Sequence, residues 1–533
     1  MKRFRSAMGA MAAAVLVASC GGTNTETAQV ATSTSHGTLV EDPPLRIASV
    51  NATDFQAQLA SSASGQQLLQ ITGDPACGVD FYYVKFYTVG AAGETTISSG
   101  ALMVPTGAAG TCSGPRPIVL YAHGTQTDKT ANIADITNTS NTEGALIAAM
   151  FAAQGFIVVA PNYAGYDIST LGYHPFLNAS QQSGEMMDIL AAARTALPKT
   201  FASSTKDGGK LFVTGYSEGG YVAMATQRAL QAAGATVTAA APMSGPYALE
   251  AFSDAIFFGS VNIGSTVFAP LISTSYQHAY GNIYSATTDV YTSTFATGID
   301  TVLPSATPID TLFQEGKLPQ TALFDSTTPT VTIPGDPTDS AFLTQQLQVP
   351  TTNPVFAAGF GEPNLITNTF RVAYALDAAG NPDGALPSPV TGMPAAGVPL
   401  AATAPTLPLR KALYLNDMRN GPWAPTEPTL LCGGDQDPTV FFSVNAQTMQ
   451  AFWASVLPAG ALTVLDVGGT PGGPFIQVQE GFQQSQLALL NFYESTAGGS
   501  LTPGEAELQL VENYHTNVAP FCALAARAFF SQF

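Results

Sequence analysis

Charge is what this chain has least of. Only 10% of its 533 residues are Asp, Glu, Lys or Arg, and 18 basic residues face 37 acidic ones, a formal net charge of −19. Neutralising a phosphate backbone takes clustered Lys and Arg, so the composition argues against nucleic acid as a partner. Metal-binding patterns are missing as well: there is no HExxH, no CxxC and no acidic calcium loop, and no metal or cofactor is expected. Beyond the leader no apolar run is long enough to cross a bilayer, and no internal repeat is evident. Histidine is scarce, with five residues at 36, 123, 174, 278 and 515. That scarcity sharpens any search for a catalytic base.

What is present is a large apolar fraction, 46%, enough for one big α/β domain with an insertion or for two domains. The runs Phe81–Tyr87 and Thr95–Val104 read as an antiparallel strand pair. Further strands are expected at Pro117–Ala122, Gly155–Ala160, Lys210–Gly215, Thr236–Met243, Thr429–Gly434 and Leu462–Asp466. Helical patterns at Ser183–Arg194 and Tyr221–Leu230 alternate with them. Such alternation predicts a mainly parallel sheet flanked by helices.

The run ending Gly215-Tyr-Ser217-Glu-Gly219-Gly220 joins an apolar strand directly to a helix, the pattern of a nucleophile elbow. A serine hydroxyl is a poor nucleophile. It must project from a sharp turn where a base can reach it and where a helix N-terminus faces the developing oxyanion. On such an elbow the acid and then the histidine follow the serine in chain order, and His515 is the histidine that follows the best acid segment. That segment, Cys432-Gly-Gly-Asp435-Gln-Asp437, opens a loop after an apolar strand. Asp437 is the preferred acid and Asp435 the alternative, since either carboxylate can reach an imidazole from such a loop. The strand Pro117–Ala122 ends in His123-Gly124-Thr125-Gln126. Thr125, or failing it Gln126, is expected to give one oxyanion N–H, and Glu218 the other. His123 reads as a turn-shaping residue, and His174 and His278 as packing or pocket-rim residues. The Glu218 side chain reads as a solvent-facing carboxylate at a helix start.

The first residues pair a basic start, Met1–Arg5, with a short apolar core and Val17-Ala-Ser-Cys20, which resembles a bacterial lipobox. This implies cleavage before Cys20 and lipidation of its thiol, giving an exported protein tethered to a membrane, in the periplasm, on the outer membrane or at the cell surface. A plain secretory signal is the alternative. The remaining cysteines, 77, 112, 432 and 522, allow three pairings in an oxidising compartment. Cys77 with Cys112 and Cys432 with Cys522 is the pairing expected. The first would clamp the leading strand pair, and the second would tie the acid loop to the segment after His515.

His123-Gly124, the elbow around Ser217, the loop to Asp437 and His515 together resemble the α/β-hydrolase superfamily over most of the chain after about Cys77. Within it, Gly-Tyr-Ser-x-Gly-Gly and a long insertion are similar to secretory lipases and related bacterial esterases. Asn162 departs from the usual Asp at its position. The resemblance implies an α/β-hydrolase fold with a large cap inserted between its sixth and seventh strands. The expected organisation is a signal peptide (1–19), a flexible tether (20–45), the first part of the core (46–247), a cap (248–410) and the second part of the core (411–533). It also implies a Ser217-Asp437-His515 triad that cleaves hydrophobic or lipid-like esters, small or polymeric, through an acyl-enzyme. A polyester or polyhydroxyalkanoate depolymerase, a serine peptidase on the same fold and a non-catalytic binding protein are the alternatives. Oligomeric state is not legible.

Overall fold

The computed structural model describes residues 35–138, 141–201, 204–393, 397–495 and 501–533. The expected leader, Cys20 and the first part of the expected tether lie outside the described residues. Nine strands form one sheet: β1 (Leu45–Val50), β2 (Gly78–Val89), β3 (Thr95–Thr106), β4 (Gly114–Ala122), β5 (Ile157–Pro161), β6 (Thr205–Tyr216), β7 (Ala239–Met243), β8 (Thr429–Gly433) and β9 (Leu462–Asp466). Their spatial order is β1-β2-β3-β5-β4-β6-β7-β8-β9. The first three strands run antiparallel into β5, and every pairing from β5 to β9 is parallel.

The parallel half is apolar on both faces because both faces are covered. In β4, Ile118 and Leu120 belong to one buried cluster, while Val119 and Tyr121 belong to the other. Helices α1 (Ala52–Ala60) and α2 (Ala63–Thr72) precede β2; α3 (Thr142–Met150) links β4 to β5; α4 (Ala179–Ala196) links β5 to β6. Helix α5 (Glu218–Ala232) follows the β6 turn directly. Neither β1 nor the two helices after it is legible as a periodic pattern. Residues expected to be loose tether are also bound: Gly37 N–H and Val40 N–H donate to the carbonyls of Tyr87 and Lys85 on β2. A leash over 20–45 therefore ends earlier than the sequence suggests.

Between β7 and β8 the chain forms α6 (Leu249–Phe257), α7 (Ser265–Tyr280), α8 (Ile309–Gln314), α9 (Pro337–Gln346), α10 (Pro354–Ala357), α11 (Asn368–Gly380) and α12 (Pro408–Asn416). Apolar packing and a buried charge network hold them. The Phe257 ring stacks on Tyr374 at 3.7 Å, while Arg410, with no exposed surface, lies between Asp254 (2.7 Å), Asp377 (3.1 Å) and Glu250 (3.3 Å). Arg419 is paired with Asp383 at 2.6 Å and Asp417 at 2.8 Å.

After β8 come α13 (Ala446–Trp453), α14 (Ile476–Glu494), α15 (Pro503–Glu512) and α16 (Tyr514–Phe530). The buried residues of helix α14 lie in its first turns, at Val478, Gln479 and Phe482. Leu487 and Phe492, farther along it, are exposed. Among the described residues no helix is long and apolar enough to cross a membrane, and no cluster of His, Cys, Asp and Glu suits a metal ion.

Both expected disulfides are present, Cys77–Cys112 and Cys432–Cys522. The second ties β8 to α16 across a sequence separation of 90. Constraint of the unfolded chain by so long a loop is worth about 4–5 kcal/mol. Converting Cys432 and Cys522 to alanine should lower both the melting temperature and kcat, because β8 leads to Asp437 and α16 carries His515. Converting Cys77 and Cys112 should lower the melting temperature alone, a contrast that thermal melts and steady-state kinetics will show.

Candidate active site

Ser217 sits between β6 and α5 with φ 60° and ψ −123°, a left-handed conformation forced on a non-glycine residue. Such strain persists where surrounding structure fixes it. Here the Ser217 N–H donates to the Met243 carbonyl at 3.0 Å and the Gly220 N–H to the Ser217 carbonyl at 2.9 Å. The glycines are required by close approach. A Cβ on Gly215 would lie 2.5 Å from the Ala122 carbonyl oxygen, and one on Gly219 only 1.9 Å from it. With both positions bare, α5 starts directly at Ser217, which is its N-cap residue.

His515 lies in the first turn of α16, and its Nδ1–H donates to Oδ2 of buried Asp437 at 2.6 Å. The other Asp437 oxygen, Oδ1, accepts the backbone N–H groups of Thr439 (2.9 Å) and Val440 (3.0 Å), so the carboxylate is held on both sides. Nε2 of His515 is buried with no hydrogen-bond partner among the described residues. The imidazole is placed beside the elbow by Tyr216, whose ring centroid is 4.9 Å away and whose O–H donates to the His515 carbonyl. Asp435 is elsewhere. It is exposed, and its N–H donates to Oδ1 of Asp466 at 3.1 Å.

The segment after β4 carries the other expected residues. Nδ1 of His123 donates to the Gly124 carbonyl at 2.6 Å. Both oxygens of the Glu143 carboxylate accept the Gly124 N–H, at 3.1 and 3.2 Å, and the Tyr121 O–H donates to the same group at 2.7 Å. Burial pushes the Glu143 carboxyl above its ordinary range. Thr125 borders the cavity that contains Ser217 and Glu218, whereas Gln126 does not and uses its carbonyl to accept from Tyr166 at 2.6 Å.

One expectation fails clearly. The Glu218 side chain is not solvent-facing; it is 1% exposed, and its Oε1 meets His174 Nε2 and Gln182 Nε2, each at 2.7 Å. Burial of a carboxylate is tolerated because the imidazole and amide replace water. His278 is exposed and stacks on Tyr173 at 3.7 Å. Asn162 braces the loop after β4, accepting the Ile133 N–H at 2.7 Å and donating to Ser99 Oγ at 2.9 Å.

Ser217 opens onto a narrow cavity of about 110 Å³. Its walls are mostly apolar and come largely from the segment between β7 and β8, with Leu249, Phe252, Phe257, Phe268, Ile272 and Leu413 among them. That segment also grips the acid loop: Asn262 Nδ2 donates to the Thr439 carbonyl at 2.7 Å and the Ile263 N–H to the Pro438 carbonyl at 3.1 Å. Sequence reasoning missed Tyr216, Glu143 and Asn262. Tyr216 was visible beside Ser217, but nothing in the sequence shows that its hydroxyl reaches residue 515. Glu143 and Asn262 carry no local signal at all.

The model of the prolyl oligopeptidase family matches residues 144–263, the stretch from α3 through the elbow to the loop after α6. A comparison with curated proteins finds no match. Among solved structures, the chain is similar to a rice cell wall degrading esterase, LipA, from Xanthomonas oryzae. The two share 24% identity over 87% of this chain and 97% of that one, with a TM-score of 0.59. A structure from Legionella pneumophila subsp. pneumophila is similar at 17% identity over 93% of this chain and 97% of that one, with a TM-score of 0.57. With its strand order, its elbow and these likenesses, the chain has the α/β-hydrolase fold.

Proposed function

We propose that the chain is a serine carboxylic-ester hydrolase of the esterase or lipase kind. The observation that carries this reading is a strained serine lining an apolar cavity, next in the chain to Tyr216, whose ring packs on an imidazole already oriented by a buried carboxylate. In this mechanism His515 Nε2 takes the Ser217 proton as the oxygen attacks an ester carbonyl, and Asp437 stabilises the imidazolium that forms. The Thr125 and Glu218 N–H groups hold the oxyanion. His515 returns the proton to the departing alcohol, and water then cleaves the acyl-enzyme by the same route in reverse.

Residues 248–410 act as a cap in this reading, supported by the number of its side chains that wall the cavity. The cavity, at about 110 Å³, is several times the roughly 10–15 Å³ one water needs, and its apolar walls suit the acyl part of a hydrophobic ester. Export fits the two disulfides, which persist in oxidising compartments. Anchoring through a lipid on Cys20 belongs to the same proposal.

Turnover of nitrophenyl esters of graded length, by wild type and Ser217→Ala, tests this. Wild type should turn over esters with apolar acyl chains, and Ser217→Ala should turn over none of them. Equal turnover by both would overturn the proposal. Ala269 lines the cavity from α7. Ala269→Trp should therefore abolish activity on long chains while sparing acetate. Peptide hydrolysis is the second reading, favoured by the prolyl oligopeptidase match. The cavity has no basic side chain to hold a peptide carboxylate. Cleavage of peptides without cleavage of esters would decide for it.

A further inference from the structure

Two buried tyrosines follow β5. Tyr163 O–H donates to the His123 carbonyl at 3.1 Å and Tyr166 O–H to the Gln126 carbonyl at 2.6 Å, so together they fix the chain on either side of Gly124-Thr125. His174 lies against both rings, with centroids 5.5 Å from Tyr163 and 4.8 Å from Tyr166, and is itself buried. Its Nδ1 is 2.9 Å from the Ala164 carbonyl, which can only accept, so Nδ1 carries a hydrogen. Its Nε2 is 2.7 Å from Glu218 Oε1, and that contact holds a second proton, on the imidazole or on the carboxyl. One side chain thus touches the supports of Thr125 through the tyrosines and grips Glu218 directly.

We infer that His174 is a positioning residue that holds the two oxyanion N–H groups, of Thr125 and Glu218, in a single rigid frame. The inference rests on the ester-hydrolase reading and goes beyond it, because His174 touches no reacting atom. An oxyanion hole works only if its donors already point at the place where charge will develop, so a loosened frame weakens the transition state more than the ground state. Glu218 gives the chain an elbow carboxylate that a histidine from the β5–α4 loop can hold. Gln182 on α4 adds a second hydrogen bond to the same oxygen, so the carboxylate is fixed from two elements.

The test measures kcat, KM and the inhibition constant of a trifluoromethyl ketone, which adds to the serine and leaves an oxyanion in the hole. His174→Phe keeps a ring between the tyrosines but loses the bond to Glu218, and His174→Gln keeps a donor for Glu218 but loses the ring. His174→Ala loses both. His174→Ala and His174→Phe should lower kcat about 10- to 100-fold, less than outright loss of a donor in its upper range. KM should hold, ketone affinity should fall by a similar factor, and His174→Gln should recover part of the loss. Wild-type kcat in folded His174→Phe would overturn the inference, as would a loss carried by KM with ketone affinity intact. If His174→Ala does not fold, the Phe and Gln variants decide alone. Wild-type turnover by Ser217→Ala would instead overturn the catalytic reading beneath it.

Discussion

Asp437→Asn should lower kcat on nitrophenyl esters on the order of 10⁴-fold with the fold intact. The carboxylate accepts the Nδ1–H of His515 through Oδ2 and two backbone N–H groups through Oδ1. An asparagine would keep the backbone bonds through its oxygen and turn its NH₂ toward Nδ1. The imidazole would then move its proton to Nε2, where it can no longer accept one from Ser217. Asp435→Asn should leave kcat close to wild type, because that side chain is exposed and the contact with Asp466 is made by the Asp435 backbone N–H. Steady-state kinetics on both variants, with near-ultraviolet dichroism to check folding, separate the two aspartates. A large loss in Asp435→Asn with none in Asp437→Asn would reverse the assignment.

The second large effect lies away from the serine. Arg410→Met should destabilise the protein by about 3–5 kcal/mol, the usual cost of leaving buried ionic partners unpaired. The guanidinium gives Nε and Nη2 to the two oxygens of Asp254, at 2.9 and 2.7 Å, and Nη1 to Asp377 at 3.1 Å. It cannot neutralise every carboxyl around it. Burial pushes the Glu250 carboxyl up to about 9 and Asp254 up to about 6, against Arg410, which pulls both down. An acid whose native pKa is raised binds its proton more tightly when folded. Its contribution is therefore complete below the unfolded value of about 4.3 and fades as pH climbs toward 9. Melting temperature should fall between pH 5 and pH 9, and Glu250→Gln should flatten the part of that fall lying above pH 7. A pH-independent melt in wild type would contradict this account.

How much of this was readable beforehand depends on the distance over which each residue acts. The elbow is local: Gly215 and Gly219 stand beside Ser217 because a carbonyl oxygen occupies the space a side chain would need, and that requirement leaves a spacing in the sequence. The parallel strands were legible for the same kind of reason, since burial on both faces leaves continuous apolar runs such as Ile157–Pro161. Chain order narrowed the imidazole to His515 but left two aspartates open. Only packing separates them, because Asp437 turns inward and Asp435, two residues earlier, turns out. Strand β1 was missed because its sequence, Leu45-Arg-Ile-Ala-Ser-Val50, lies mostly exposed at a sheet edge and shows no clean alternation. Glu218 was misread for a subtler reason. A carboxylate at a helix start looks solvated until the imidazole that buries it, 44 positions earlier in the chain, is seen beside it.

The cross-link between Cys432 and Cys522 has a consequence for where the molecule becomes competent. It joins the strand leading to the carboxylate to the helix that carries the imidazole, two pieces that meet only late along the chain. In a thiol-rich cytosol that stitch stays open, and the alignment rests on packing alone. Before oxidation the carboxylate and the imidazole are aligned by packing alone, and after it a covalent link holds their two elements together.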